Sequence, residues 1–113
     1  MVTHVKRANG WMETFYRNVI HRLDGPAAEH ADGAKEWYVN GKRHRVDGPA
    51  VEAPSNYRRW LIYGKPHRLD GPAVEAWGMK KWWVDGERHR LNGPAVERAN
   101  GKKEWWVFGV RQK

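Results

Sequence analysis

The sequence predicts an all-β fold, an elongated antiparallel array of five β-hairpins, and three observations predict it. The stretch "HRLDGPA" from His21 to Ala27 returns as "HRVDGPA" at His44, "HRLDGPA" at His67 and "HRLNGPA" at His89, in steps of 23, 23 and 22 residues. Trp37, Trp60, Trp82 and Trp105 repeat with nearly the same period. Between these landmarks, short runs of aromatic and β-branched residues flank turns in which Gly or Asn supplies the positive φ angles of a hairpin. A constant period of this size marks stacked repeats, each too small to bury a hydrophobic face alone.

Each unit divides around a turn. A short segment follows the proline, as in "PAVE", and a second carries the tryptophan: "KEWYV", "RRWLI", "KKWWV" or "KEWWV". The turns between them are "ADG" (Ala31 to Gly33), "PSN" (Pro54 to Asn56), "WG" (Trp77 and Gly78) and "ANG" (Ala99 to Gly101). The hairpins so placed cover about residues 26–40, 49–63, 72–85 and 94–108, and the 22-residue step arises in a loop one residue shorter between Glu75 and Trp82. A further hairpin near residues 2–16 follows from "RANG" at Arg7 to Gly10, which matches "RANG" at Arg98 to Gly101. That alignment puts Thr14 at the tryptophan position and Asn18 at a glycine position, where Asn is the best substitute for a positive φ. The unit is degenerate, as expected of a cap whose outer side meets water.

The chain has 113 residues, 40% of them hydrophobic and 30% charged, which suits one globular domain over residues 1–113. It has no cysteine, so disulfides and thiolate ligands are out of reach, and a cytoplasmic setting is expected. No apolar run approaches the roughly 18 residues of a spanning helix, and the N-terminal stretch lacks the apolar segment of a signal peptide. Lys and Arg outnumber Asp and Glu by 21 to 13, for a net charge of +8. Such a balance favours an anionic partner: an acidic protein surface, a nucleic acid or a membrane surface.

The stretches "EWYVNGKRHRVDGPAVE" (Glu36 to Glu52) and "WWVDGERHRLNGPAVE" (Trp82 to Glu97) resemble MORN repeats, in which an aromatic strand, N/D-G-K-x-H, a glycine-bearing turn and a second strand recur. The likeness covers about residues 5–110. It departs from the family after the histidine, where Arg22, Arg45, Arg68 and Arg90 stand in place of the usual glycine. This HRxDGPA variant is similar to repeats in proteins of tailed bacteriophages and large viruses. The resemblance implies a viral protein in a host cytoplasm and an interaction module for proteins or acidic lipids. A host factor or defence complex would then be the natural target, while the fold alone does not fix a function.

The tryptophan column, with Val39, Ile62, Val84 and Val107 two positions on, is expected to form the core. Leu23, Val46, Leu69 and Leu91 are expected to anchor the repeated loop to it. Tyr38, Leu61, Trp83 and Trp106 fall on the opposite face, either under a second layer or as an exposed aromatic stripe. Trp77, at a hairpin tip, is expected to be exposed. The repeated histidines stand about 10 Å apart in such an array, too far to share a metal, and the repeated Glu29, Glu52, Glu75 and Glu97 are equally separated. Those glutamates are expected to pair across strands with a neighbouring unit's Arg or Lys. With a single serine and no cysteine, nucleophilic chemistry has little to use, so no catalytic residue, metal or cofactor is expected.

The net charge gathers on the loops between hairpins. In one reading each Arg forks to the Asp two residues on and each His donates to a backbone carbonyl. In the other, Lys42, Arg43, Lys65 and Arg88 reach solvent and join Arg45, Arg68 and Arg90 in a basic ridge. The expected function is non-enzymatic binding of a protein with an acidic surface through Tyr38, Leu61, Trp77, Trp83 and Trp106 and this ridge. Nucleic-acid binding by the ridge is the alternative, acidic lipid the third, and open sheet edges allow a homodimer.

Overall fold

The computed structural model describes residues 2–8 and 10–113, an elongated body of 51 × 25 × 17 Å. In chain order, β1 (Val2–Lys6), β2 (Met12–Tyr16) and β3 (Val19–Ile20) form the first unit, and Asn9 in its expected turn lies outside the described residues. The second unit is β4 (Ala28–Glu29), β5 (Lys35–Glu36), β6 (Tyr38–Val39) and β7 (Lys42–Arg43). The third is β8 (Val51–Ala53), β9 (Tyr57–Arg59), β10 (Leu61–Ile62) and β11 (Lys65–Pro66). The fourth is β12 (Val74–Ala76), β13 (Met79–Lys81), β14 (Trp83–Val84) and β15 (Glu87–Arg88). The fifth is β16 (Val96–Glu97), β17 (Lys103–Glu104), β18 (Trp106–Val107) and β19 (Val110–Arg111). Among the described residues no helix is long and apolar enough to cross a membrane.

All five expected hairpins are present. They line up side by side as one long antiparallel sheet in the order β1-β2-β4-β5-β8-β9-β12-β13-β16-β17, with β3 also paired to β2. Each unit then adds a second, smaller hairpin that the sequence reading took for a plain connection: β2–β3, β6–β7, β10–β11, β14–β15 and β18–β19. Its turn has two residues with positive φ, the type I′ geometry that matches strand twist. The pairs are Arg17-Asn18, Asn40-Gly41, Tyr63-Gly64, Asp85-Gly86 and Phe108-Gly109. Asn18, with φ of 65°, takes up the conformation its alignment with the glycines requires.

The tryptophan is the joint between the two hairpins. Trp37, Trp60 and Trp82 donate their amides to Ala50, Ala73 and Ala95 in the next unit of the long sheet, while their carbonyls accept from His44, His67 and His89 at the foot of the small hairpin. The small hairpins also hold one another. Gly41, Gly64, Gly86 and Gly109 donate to Ile20, Arg43, Pro66 and Arg88 of the preceding unit, at 2.7 to 2.9 Å.

A body this thin buries little, and what it buries is small. Ala27, Ala50, Ala73 and Ala95, the last residues of each HRxDGPA copy, are at most 1% exposed. Their amides and carbonyls bridge a strand on each side, and with so little exposure there is no open space for a larger side chain. Ala28, Val51, Ala76, Val96 and Leu61 complete the interior. One face of the long sheet carries an alternating ladder, Glu29, Lys35, Glu52, Arg58, Glu75, Lys80, Glu97 and Lys103 in register across eight strands. Glu52, Glu75 and Glu97 thus face Lys35, Arg58 and Lys80 of the preceding unit, as expected, whereas Glu29 faces Met12.

Two expectations about the core need correction. Leu23, Val46, Leu69 and Leu91 are 78–80% exposed and anchor nothing. The tryptophans Trp37, Trp60 and Trp82 are half-buried, and Trp105 is exposed. Arginines occupy the faces of Trp37, Trp60 and Trp82, as described below, whereas Trp105 has no such arginine and the loop of Leu23 no such ring. Ala73→Leu should therefore lower stability by about 1–3 kcal/mol through overpacking, whereas Leu69→Ala should change it by less than about 0.5 kcal/mol; urea midpoints at unchanged m-value measure both.

Candidate functional site

The HRxDGPA loop is closed around its own arginine. Arg45, Arg68 and Arg90 lay their guanidinium groups 3.9, 3.8 and 3.9 Å from the ring centroids of Trp37, Trp60 and Trp82. In all four copies the Nε–H donates to the residue two on: Arg22 to Asp24 (2.8 Å), Arg45 to Asp47 (3.3 Å), Arg68 to Asp70 (3.0 Å) and Arg90 to Asn92 (3.3 Å). Nη1 of each donates to a proline carbonyl four residues on, at 3.1 to 3.3 Å. The same planar group thus satisfies a turn, a strand start and an aromatic face at once.

Glycine is needed here for room rather than for dihedral freedom. A Cβ at Gly48, Gly71 or Gly93 would stand 2.8 Å from the Cζ of Arg45, Arg68 or Arg90. The contribution of Arg45, Arg68 and Arg90 is therefore architectural, and the ridge expected of them is occupied by their own loops.

The histidine beside each arginine also differs from expectation. It accepts a hydrogen bond instead of donating one. His21, His44, His67 and His89 take the backbone amides of Asn40, Tyr63, Asp85 and Phe108 on Nδ1 at 2.9 to 3.0 Å. Each of those amides opens the small-hairpin turn of the following unit. Tyr63 and Phe108, bulky residues at positive φ, lay their rings on His44 and His89 at 4.1 and 3.8 Å between centroids.

With arginine on the indole, the loop aliphatics point outward, and open grooves form between successive loops. Three equivalent ones have volumes of about 750, 670 and 790 Å³. Their floors are Trp37 with Val39, Trp60 with Ile62, and Trp82 with Val84. Their walls are His44, His67 and His89, and their lips are successive pairs from Leu23, Val46, Leu69 and Leu91. In the first unit Thr14, 5% exposed, takes the indole position and bonds His4 Nδ1 at 3.0 Å. A smaller groove of about 560 Å³ remains there.

The column on the other face is not an exposed stripe. Leu61 is 2% exposed and belongs to the core with Ala50 and Val51. Tyr38, Trp83 and Trp106 are half-buried in the layer made by the small hairpins. Arg43 and Arg88, expected in solvent, are drawn into that layer. Arg43 pairs with Glu36 at 2.6 Å, and Arg88 rests 5.3 and 5.0 Å from the rings of Trp83 and Trp106. Burial, with the Glu36 charge, pushes the Tyr38 hydroxyl above its ordinary pKa. Trp77 is 72% exposed at the tip, as expected, and its ring leans on Tyr57. Lys42 and Lys65 reach solvent.

The sequence reading missed the grooves, although each tryptophan precedes a loop arginine by eight residues in every copy that has both. It also missed Arg59 and Lys81, which take the position held by Glu36 and Glu104. Compared with known proteins, the chain matches no family model, no curated protein and no solved structure.

The loop geometry makes a double-mutant cycle informative. Arg68→Ala should cost about 1–2 kcal/mol, and Gly71→Ala a similar amount by displacing the same guanidinium. The double variant should cost no more than Arg68→Ala alone; additive losses in chemical denaturation would mean that the glycine serves something other than the arginine.

Proposed function

We propose that this protein is a non-enzymatic, MORN-like binding module that seats an extended polypeptide segment of a partner protein along its row of grooves. One observation carries the reading: four aliphatic side chains at one repeated position, each 78–80% exposed, alternate with indole-floored grooves. Periodic exposed apolar surface beside aromatic rings is the usual mark of a protein contact. Asp24, Asp47 and Asp70 stand along the same row, so apolar side chains rather than acids supply the fit on this face.

The spacing selects the conformation of the bound segment. Two strands per unit, about 4.8 Å apart, advance the grooves by about 9.6 Å. A polyproline II chain rises about 3.1 Å per residue with three residues per turn, so the same face recurs every ~9.3 Å. A β-strand returns to one face every ~6.7 Å and an α-helix every ~5.4 Å, and neither keeps step with the grooves. Aromatic-lined grooves are a known way to hold such a segment. The third-residue side chains of a proline-rich or otherwise extended segment would drop into successive grooves between the loop aliphatics.

Selection from a displayed library of unstructured peptides tests this. Enriched sequences should carry apolar residues or proline at every third position. The Val46→Asp, Leu69→Asp double variant should keep its fold and lose at least tenfold in affinity. Enrichment of helix-spaced apolar residues, or unchanged binding by the double variant, would sink the proposal.

A further inference from the structure

A second feature lies on the opposite side of the molecule and comes from a change of charge between otherwise equivalent units. One column of the long sheet holds Glu36, Arg59, Lys81 and Glu104, and the residues seven further on are Arg43, Pro66, Arg88 and Arg111. All four members of the first column share one sheet face, because Glu36, Val51, Arg59, Val74, Lys81, Val96 and Glu104 are directly opposite one another in turn. The small hairpins lie over this face, as the Arg43–Glu36 pair at 2.6 Å demonstrates.

The outer units therefore oppose an acid with a base. The two middle ones do not. Arg59 meets a proline position, and Lys81 meets Arg88, a like-charge pair in a half-buried layer. Among the described residues none of the three makes an ion pair with a carboxylate within 4.0 Å. Glu104, two rungs from Lys81, has both oxygens engaged: Oε2 accepts from Arg98 at 2.7 Å and Oε1 from Trp106 Nε1 at 3.1 Å. The Nε of Arg88 is buried without a hydrogen-bond partner. Burial, together with the charges of Arg88, Arg98 and Arg59, holds the Lys81 ammonium below its ordinary pKa despite Glu104. Arg59 also lines an open groove of about 380 Å³ whose other basic residues are Lys42, Arg43 and Lys65 and whose lining includes no carboxylate.

We propose that Arg59, Lys81 and Arg88 form a receptor for a phosphoryl oxyanion, which supplies in the middle of the array the negative charge that Glu36 supplies in the second unit. Arg59 lies two rungs from Lys81 on the same sheet face, and the charges of both Arg59 and Arg88 act on Lys81. Cations so grouped match a ligand carrying more than one charge, and guanidinium forks suit its oxygens. The phosphoryl group could come from a free phosphate compound or from a nucleic-acid backbone, and the two differ in how binding depends on chain length and salt.

The test is thermal unfolding and isothermal titration of the whole protein with inorganic pyrophosphate, AMP and a single-stranded oligothymidine, at ionic strength matched with sodium chloride. Pyrophosphate should raise the unfolding temperature beyond matched chloride. Lys81→Glu, which recreates the Glu36–Arg43 arrangement opposite Arg88, should raise the unfolding temperature in chloride alone and abolish the pyrophosphate response. Arg59→Gln should weaken binding at least tenfold, and Lys103→Glu, on the other sheet face, should leave it unchanged. Oligothymidine binding that is tighter per phosphate and falls steeply with salt would support the site and name a nucleic acid as its source. Pyrophosphate or AMP binding without that preference would support a free phosphate compound. The absence of any response beyond chloride with all three probes, or a Lys81→Glu variant that responds like the parent, overturns the proposal. Because peptide selection probes the opposite face, either proposal can fail while the other stands.

Discussion

The guanidinium resting on an indole ring in three of the four HRxDGPA loops is the contact on which the rest of the architecture turns. Without it the loop would lose the bond that ties its Asp or Asn to the proline carbonyl, and the tryptophan would be bare. With it, the loop is a closed object of fixed shape, and the sheet can be short-stranded and only 17 Å thin. Small buried alanines then suffice as filling, because the large side chains have been moved from the interior to the loop edge. The arrangement replaces a thick hydrophobic core by a file of similar local clusters, which is how a linear repeat array holds itself together.

In three of the four loops the same contact goes with apolar surface that is left open. An aromatic residue and an aliphatic one within a single repeat would ordinarily bury each other. Here the arginine has claimed the ring, since its flat group bonds in three directions, while a leucine could offer only its area. The aliphatic side chains are left pointing to solvent, one in each of the four loops. A surface of this kind is costly to keep unless something covers it part of the time, which is the physical sense of assigning it to a partner.

Much of this was legible beforehand. The period, the Gly and Asn turn residues and the alternating segments sufficed for the five hairpins, and Asn18 was identifiable as a glycine substitute because few other residues accept its backbone angles. The second hairpin in each unit was not legible, because strands of two residues leave no alternation to detect. Its absence from the reading propagated. Without that fold-back, Arg43 has no visible acid and Arg88 no visible aromatic, so both seemed destined for water. The exposure of Leu23, Val46, Leu69 and Leu91 was hidden for a different reason. Apolar residues recurring in register usually mean burial, and nothing in the sequence shows that the arginine beside them takes the ring face in three of the loops.

The hydrogen bonds from one unit's turn amide to the previous unit's histidine have a further meaning for how such a chain can change. They all lie on one edge of the molecule, together with the loops of seven residues that never vary in length. The opposite edge carries the tips of the long hairpins, and there the fourth unit is one residue shorter than the second, third and fifth, between Glu75 and Lys81. One border is thus bound to a strict meter while the other has given up a residue in the fourth unit and carries Trp77 at its tip. New contacts can be tried at the tips without disturbing the spacing of the grooves, so novelty and register are inherited from separate margins of the same sheet.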